Sequence, residues 1–175
     1  TTLAAKVKWE FPSISDGMPA NGMAAVLADP AMRTQHVQAI VSLVQAAGFD
    51  GIDIDYETFA YKDSRTTWDT TRPNWVAFIS ELGTALHANG KLLTVSVPPI
   101  YDSDRTADSG YWVYDYAAID DSVDRIRVMA YDYSVGEPGP IAPLGWVRSV
   151  AKAAKKAVGD DRKIVLGIPL YGRNW

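Results

Sequence analysis

The segment FDGIDIDYE (residues 49–57) alternates acidic and apolar side chains and holds four carboxylates in nine positions. Asp53, Asp55 and Glu57 fall on every second residue, so a β-strand places all three on one face. The apolar residues between them then point to the opposite face, toward flanking helices. Three like charges stacked on one strand repel one another and cost stability, which indicates a functional role for this face.

The position of each acid along the strand predicts a different chemical task. If the acidic face is buried, desolvation and mutual repulsion raise the pKa of at least one carboxyl, as a general acid at neutral pH requires. Glu57 has the longest side chain and lies nearest the strand end, so it is the expected proton donor. Asp53 is deepest, and we expect it to hold or share a proton with Asp55.

The rest of the chain alternates short β-branched runs with helical patterns. One helix is predicted to begin at Asp29 and Pro30 and to end at Gly48, and a second to begin at Pro73 and end near residue 89. A third helical pattern carries Val147 to Val158, and residues 111–120 form an ambiguous short helix. The expected strands are residues 6–11, 49–56, 91–97, 124–133 and 162–170.

This β/α alternation over 175 residues predicts one α/β domain with a parallel sheet, covering residues 1–175. An open doubly wound sheet and a (β/α)8 barrel are the two candidates. No glycine-rich phosphate loop follows a strand, and polar residues gather where strands end, as in barrel enzymes, so the barrel is favoured. These residues are Ser13 and Ser15, Asp55 and Glu57, Tyr131 and Asp132, and Tyr171 and Arg173.

Composition narrows the classes of partner. The net charge of -4 and the absence of a basic stripe argue against nucleic acid and against an anionic membrane surface. No apolar run approaches the ~20 residues that span a bilayer, and no signal-peptide core is visible. The chain has no cysteine and two histidines, His36 and His87, both in predicted helices, so we expect neither a thiolate nor a histidine-rich metal site and no cofactor. An Asp-x-Asp-x-Glu magnesium site, as in metal-dependent nucleases, remains an alternative.

Three segments together resemble one enzyme family. Residues 50–57, DGIDIDYE, are similar to the D-G-x-D-x-D-x-E signature of glycoside hydrolase family 18, the chitinase family. In the same order, VMAYDY (128–133) resembles the family's M-x-Y-D strand, and GIPLYGR (167–173) resembles its G-x-P-x-Y-G-R strand end. The resemblance implies a TIM-barrel fold and hydrolysis of β-1,4 bonds in N-acetylglucosamine-containing glycans, either chitin or peptidoglycan. It also implies a secreted or cell-surface location.

The resemblance further implies substrate-assisted retention, in which the substrate's own 2-acetamido oxygen attacks the anomeric carbon. By this resemblance Glu57 protonates the leaving oxygen, Asp55 orients the acetamido N–H and stabilises the oxazolinium ion, and Asp53 tunes Asp55. Tyr131 would hydrogen-bond the acetamido oxygen.

Substrate contacts are expected from four further residues. Asp132 would contact the sugar and pair with Arg173, and Met129 would line the floor of the site. Tyr171 would contribute from the same strand end as Arg173. Stacking on sugars and packing in the core are both open for Trp112, Trp146 and Trp175.

The sequence also departs from the family pattern. A complete (β/α)8 barrel needs about 250 residues, whereas five predicted strands correspond by resemblance to the third through seventh units. We therefore expect a partial barrel, incomplete at both ends, that another segment or chain completes. PSISDG (12–17) replaces the usual S-x-G-G, and with GPIAPLGW (139–146) it favours the branch acting on cell-wall or spore-cortex glycans. A non-catalytic chitinase-like binding protein is the alternative, which the presence of Glu57 disfavours.

Overall fold

The computed structural model describes residues 8–102, 104–106 and 108–175. Five parallel strands form one sheet in the order of the sequence, β1 to β5. They are β1 (Ser13–Ser15), β2 (Gly51–Asp55), β3 (Leu92–Val97), β4 (Arg125–Met129) and β5 (Ile164–Gly167). A doubly wound sheet reverses its strand order at a switch point, and this sheet does not, so the order is that of a barrel sector.

Six α-helices connect the described strands and cover one face of the sheet. They are α1 (Gly22–Ala28), α2 (Pro30–Ala47), α3 (Thr58–Tyr61), α4 (Trp68–His87), α5 (Tyr116–Ile119) and α6 (Leu144–Ala157). The predicted boundaries of α2 are confirmed. Asp29 accepts hydrogen bonds from the backbone N–H groups of Ala31 and Met32, and Gly48 takes the left-handed conformation with φ of 74°.

Two predicted boundaries were wrong near prolines. Helix α4 begins at Trp68, so Pro73 lies inside the helix rather than at its start. The fully buried Trp68, whose indole N–H donates to the Phe59 carbonyl at 2.8 Å, favours the extension despite the backbone donor lost at proline. The first strand lies at Ser13–Ser15, whereas residues 8–11 of the predicted strand lie outside it, and Pro12 between them has no N–H to give the ladder. Residues 6 and 7 of that prediction lie outside the described residues.

Two other strands are shorter than predicted. Strand β4 ends at Met129, and Asp132 has a left-handed φ of 56°, which an extended strand cannot contain. Tyr131 and Asp132 therefore lie in the loop that follows the strand. Strand β5 begins at Ile164, because the residues before it form a 3-10 turn. The ambiguous segment 111–120 forms a 3-10 turn followed by α5, while α1 and α3 were not predicted.

The hydrophobic core lies between the sheet and the helices. Ile52 and Ile54 of β2 are fully buried in it, and the Tyr56 ring stacks on Phe78 of α4 with centroids 5.7 Å apart. The predicted helix-facing side of the acidic strand is therefore confirmed. The opposite, concave face of the sheet carries the polar residues, and alternation along the strands separates the two sets.

Candidate active site

The acidic strand places its carboxyls on the concave face. Asp53 is 1% exposed, and its strand neighbours Ile52 and Ile54 point into the helical layer. Strand β2 lies between β1 and β3 in register, with Asp53 opposite Ser13 on one side and Thr94 on the other. Asp53 and Asp55 of the predicted period-2 ladder thus lie in β2, whereas Glu57 lies two residues beyond the strand end in a helical backbone conformation.

The Asp53 carboxylate is held by three donors from neighbouring strands. Its Oδ2 accepts hydrogen bonds from Ser13 Oγ at 2.9 Å, Ser96 Oγ at 2.8 Å and Arg127 Nη1 at 3.4 Å. Charge-assisted bonds of this kind offset the cost of burying a carboxylate. The Oδ1 atoms of both Asp53 and Asp55 are buried with no partner among the described residues. Proton sharing between these two residues stays a prediction.

Asp55 occupies an environment that favours its neutral form. Burial raises the pKa of its carboxyl, the charge of Asp53 raises it further, and Asp16 adds to the effect. The guanidinium of Arg127 acts in the opposite direction and does not cancel the rise. A carboxyl in this position retains a proton to a higher pH than an exposed aspartate.

Glu57 follows the end of β2 and immediately precedes α3. Burial is the largest cause that raises the pKa of its carboxyl, followed by the charges of Asp55, Asp16 and Asp132. The side chain is only partly buried, so it remains accessible to a ligand. An accessible carboxyl with a raised pKa is suited to proton donation near neutral pH.

Tyr131 comes from the loop after β4 and lies within electrostatic range of the ladder. Burial and the charges of Asp55 and Glu57 raise the pKa of its phenol, so the hydroxyl remains a donor at neutral pH. The ring packs closely against Gly167 of β5, where an added Cβ would lie 2.8 Å from Tyr131 Cε1. Met129, two residues earlier, is 9% exposed at the end of β4. Its predicted role beneath a sugar stays a prediction.

Asp132 connects the loop after β4 with the segment after β5 through hydrogen bonds. Its Oδ1 accepts hydrogen bonds from the Tyr171 hydroxyl and from Arg173 Nη2, each at 2.8 Å. Burial alone would raise the pKa of Asp132, but the two hydrogen bonds and the Arg173 charge outweigh it and hold the pKa below its ordinary value. The predicted pairing of Asp132 with Arg173 is confirmed, and Tyr171 belongs to the same cluster.

Three residues of the site were not predicted, and Ser96, which donates to Asp53, is the first of them. Asp16 Oδ2 accepts a hydrogen bond of 3.3 Å from the backbone N–H of Thr58, the residue after Glu57. Arg127 of β4 reaches Asp53 of β2 across the intervening strand β3. The sequence could have indicated Arg127, because it lies two residues before Met129 and therefore on the same face of the strand. Asp16 stands just beyond β1, where the sequence showed only a departure from a glycine pair.

The three tryptophans considered for stacking are placed differently. Trp146 of α6 packs against Tyr101 and Tyr133, with centroid separations of 6.3 and 5.3 Å. Trp112 packs edge-on against the buried Trp68 at 5.2 Å, and Trp175 is 56% exposed. No group of three or more metal-ligating side chains suited to hold an ion occurs in the described ranges. No helix among the described residues is both long and apolar enough to cross a bilayer.

Comparison with known proteins identifies the family. The model of the family described as glycosyl hydrolases family 18 matches residues 12–175. The chain belongs to this family. Among family 18 relatives, the glycosylase YdhD of Bacillus subtilis is 35% identical over 154 residues, covering 86% of this chain and 33% of the relative. A cortical fragment-lytic enzyme of Bacillus subtilis is 28% identical, with the same two coverages.

Family 18 structures confirm the fold class. A class V chitinase from Pseudomonas fluorescens Pf-5 superimposes with a TM-score of 0.78 at 30% identity, covering 93% of this chain and 50% of that one. The chain therefore has the α/β barrel-type fold of this glycoside hydrolase family. It spans about half of that chitinase and about a third of the curated relatives named above.

Proposed function

We propose that the chain provides the acid–base machinery of a glycosidase that cleaves β-1,4 bonds in N-acetylglucosamine-containing glycans with retention of configuration. The supporting observation is the carboxyl ladder, in which Glu57 and Asp55 have raised pKa values beside the protonated Tyr131. Most retaining glycosidases use a second carboxylate as the nucleophile. In the proposed mechanism the acetamido oxygen of the substrate is the nucleophile instead.

In the first step Glu57 transfers its proton to the glycosidic oxygen while the bond from that oxygen to the anomeric carbon breaks. The acetamido carbonyl oxygen forms the new bond to the anomeric carbon from the opposite face. Asp55 accepts a hydrogen bond from the acetamido N–H and stabilises the positive charge that develops there. The Tyr131 hydroxyl donates to the acetamido oxygen and so aims it at the anomeric centre.

In the second step a water molecule attacks the anomeric carbon, and the bond from that carbon to the acetamido oxygen breaks. Glu57, now ionised, takes a proton from the water and returns to its starting state. Asp53 tunes Asp55, because its negative charge raises the pKa of the Asp55 carboxyl. We assign Asp132, Met129, Tyr171 and Arg173 to binding of the sugar next to the broken bond.

The natural substrate that we propose is a glycan of the cell wall, and the location is therefore outside the membrane. The support is the similarity to a cortical fragment-lytic enzyme and to YdhD, although chitinases are also among the relatives. Because the chain spans about half of the chitinase structure, we propose that additional polypeptide completes the barrel and that the 175 residues alone have little or no activity.

The decisive experiment compares N-acetylated with fully deacetylated oligosaccharides on a complete barrel containing this sequence. We expect cleavage of the acetylated substrate only, because the deacetylated one lacks the attacking oxygen. Equal cleavage of both would refute acetamido participation. A Glu57→Gln variant should bind the glycan without turnover, while Glu137→Gln, in an exposed loop, should retain activity as the matched control. Loss of activity with a chelator would instead favour the metal-dependent alternative.

A further inference from the structure

A cavity of about 550 Å³ lies in the helical layer, away from the carboxyl ladder. Its walls come from α4, α5, α6 and the segment after β3. Helix α5 has four residues, whereas α4 has 20 and α6 has 14, so α5 cannot fill the space between its neighbours. The volume is within the range of small-molecule sites, roughly 300–1,000 Å³. Neither the ladder acids nor Tyr131 line it.

The net charge of the residues that line this cavity is positive, whereas the net charge of the whole chain is negative. Four cationic and two anionic side chains line it, although the chain carries a net charge of -4. Arg72 pairs with Asp115, and Asp102 is the other acid. Arg105, Lys152 and Lys156 face Asp102 alone, which leaves a net excess of two positive charges. An excess of cations in a concave site raises the local concentration of anions.

Two features show how an anion would be held. Lys152 and Lys156 are four residues apart in α6, so they lie on the same face of the helix. Arg72 Nε is buried and has no hydrogen-bond acceptor among the described residues, although the guanidinium pairs with Asp115. This nitrogen is enclosed by protein, so the two lysines are the groups that can reach an anion in the cavity.

The remaining wall is suited to a sugar ring. Trp112 and Tyr101 line the cavity together with Ile100 and Tyr116. Aromatic side chains of this kind offer apolar faces to carbohydrate. Tyr101 also contacts Trp146, which contacts Tyr133, the residue after Asp132. A continuous series of aromatic side chains therefore connects the cavity with the candidate active site.

We propose that this cavity is a second carbohydrate-binding site that holds a carboxylate-bearing segment of an amino-sugar glycan. The proposal rests on the proposed function in one respect, since it takes the glycan to be the substrate. Lys152 and Lys156 bind the carboxylate, and Trp112 and Tyr101 contact the sugar. A neutral chitin segment lacks the group that the lysines recognise, so the cavity favours acidic wall glycan over chitin.

The test measures binding in the Glu57→Gln background, where turnover is blocked. The probe is a tetrasaccharide of alternating N-acetylglucosamine and N-acetylmuramic acid, and chitotetraose is the neutral comparison. The readout is the indole N–H signal of Trp112 in the NMR spectrum, assigned with Trp112→Phe. We expect a saturable shift with the acidic glycan and a much weaker response to chitotetraose.

The matched variants are on one helix. Replacing both Lys152 and Lys156 with Gln should weaken binding roughly threefold to thirtyfold, the range expected for two partly exposed ion pairs. Lys155→Gln removes the same kind of charge from α6, where Lys155 pairs with Asp161 at 2.7 Å and does not line the cavity. It should leave the affinity within about twofold, because a surface ion pair away from the ligand contributes little to binding.

Three results would overturn the proposal. They are no Trp112 response at millimolar acidic glycan, an equal response to chitotetraose, and equal weakening by Lys155→Gln. Hydrolysis is assayed separately on a complete barrel that contains this sequence with Glu57 intact. Binding without hydrolysis would reject the proposed function and leave the second site standing, whereas hydrolysis without a Trp112 response would do the reverse.

Discussion

The Tyr114 hydroxyl donates a hydrogen bond of 2.6 Å to the backbone carbonyl of Tyr56, and both side chains are buried. Tyr56 separates Asp55 from Glu57 in the sequence, so this bond fixes the backbone between the two acids. The same residue is held on its other side, where His36 Nε2 lies 2.6 Å from the Tyr56 hydroxyl. The position of the ladder therefore depends on contacts from the helical layer as well as from the strands.

Tyr114→Phe should lower the free energy of unfolding by about 1–3 kcal/mol, because it leaves the buried Tyr56 carbonyl without its donor. Urea denaturation followed by circular dichroism measures this change. Tyr133→Phe is the matched control, since Tyr133 is 55% exposed, and its effect should stay within about 0.5 kcal/mol. Equal effects of the two variants would show that the Tyr114 bond is not important for stability.

Asp16→Asn should lower the pKa of both Glu57 and Asp55. The amide keeps an oxygen for the Thr58 N–H, and it removes a negative charge that raises both pKa values. NMR titration of the side-chain carboxyl carbons reports each pKa directly and requires no enzymatic activity. Asp121→Asn removes an equal charge at an exposed position and should change neither value. Unchanged values in Asp16→Asn would mean that this residue acts only through the backbone.

Glu57→Gln should stabilise the protein at neutral pH. The raised pKa of Glu57 means that the native state holds its proton above the ordinary value of 4.5, where the unfolded chain has released it. Stability therefore falls as the pH rises from 4.5 through the raised pKa, and the amide removes that loss. The unfolding free energies of variant and wild type should converge near pH 3 and differ at pH 7.

Glu81→Gln is the informative control for that experiment. Glu81 forms an ion pair of 2.7 Å with the largely buried Arg33. Loss of this ion pair should destabilise the protein at pH 7 by about 0.2–1 kcal/mol. The two glutamates thus predict changes of opposite sign from the same substitution. A destabilising Glu57→Gln at pH 7 would contradict the electrostatic strain that we assign to the ladder.

Arg173→Met should raise the pKa of Asp132 toward its ordinary value, because the variant removes a hydrogen bond and a positive charge. Carboxyl NMR titration checks this prediction as well. Arg162→Met breaks the exposed pair with Asp160, whose pKa lies at about 2, and should raise that value while leaving Asp132 unchanged. If Asp132 does not respond to Arg173→Met, the ion pair is absent in solution.

Local signals in the sequence predicted those parts of the molecule that neighbouring residues determine. The cap at Asp29 and the two-residue spacing of Asp53 and Asp55 required no tertiary information, and both are present. The start of α4 was predicted wrongly, because burial of Trp68 outweighs the preference of proline for a first turn. Helix α1 was not predicted, and Asn21, a residue type favoured at helix starts, precedes it in a left-handed conformation without a side-chain cap.

The surroundings of the ladder could not be derived in the same way. Asp53 draws its donors from residues 40, 43 and 74 positions away, and only the register of four strands determines which side chains reach it. The cavity beside α6 could not be predicted from the sequence either, because it results from the length of α5 relative to its neighbours. Trp112 was considered as a sugar contact from its residue type alone.

Gly167 takes no part in the proposed chemistry, but the position of the Tyr131 ring depends on it. Its missing side chain leaves the space that the Tyr131 ring occupies, so a single added methyl group would displace the phenol from its present position. Every acid of the ladder would remain in place after that change. In the proposed mechanism the complete motif is therefore not sufficient for catalysis, and we expect that one substitution at this glycine would impair it while the signature residues stay intact.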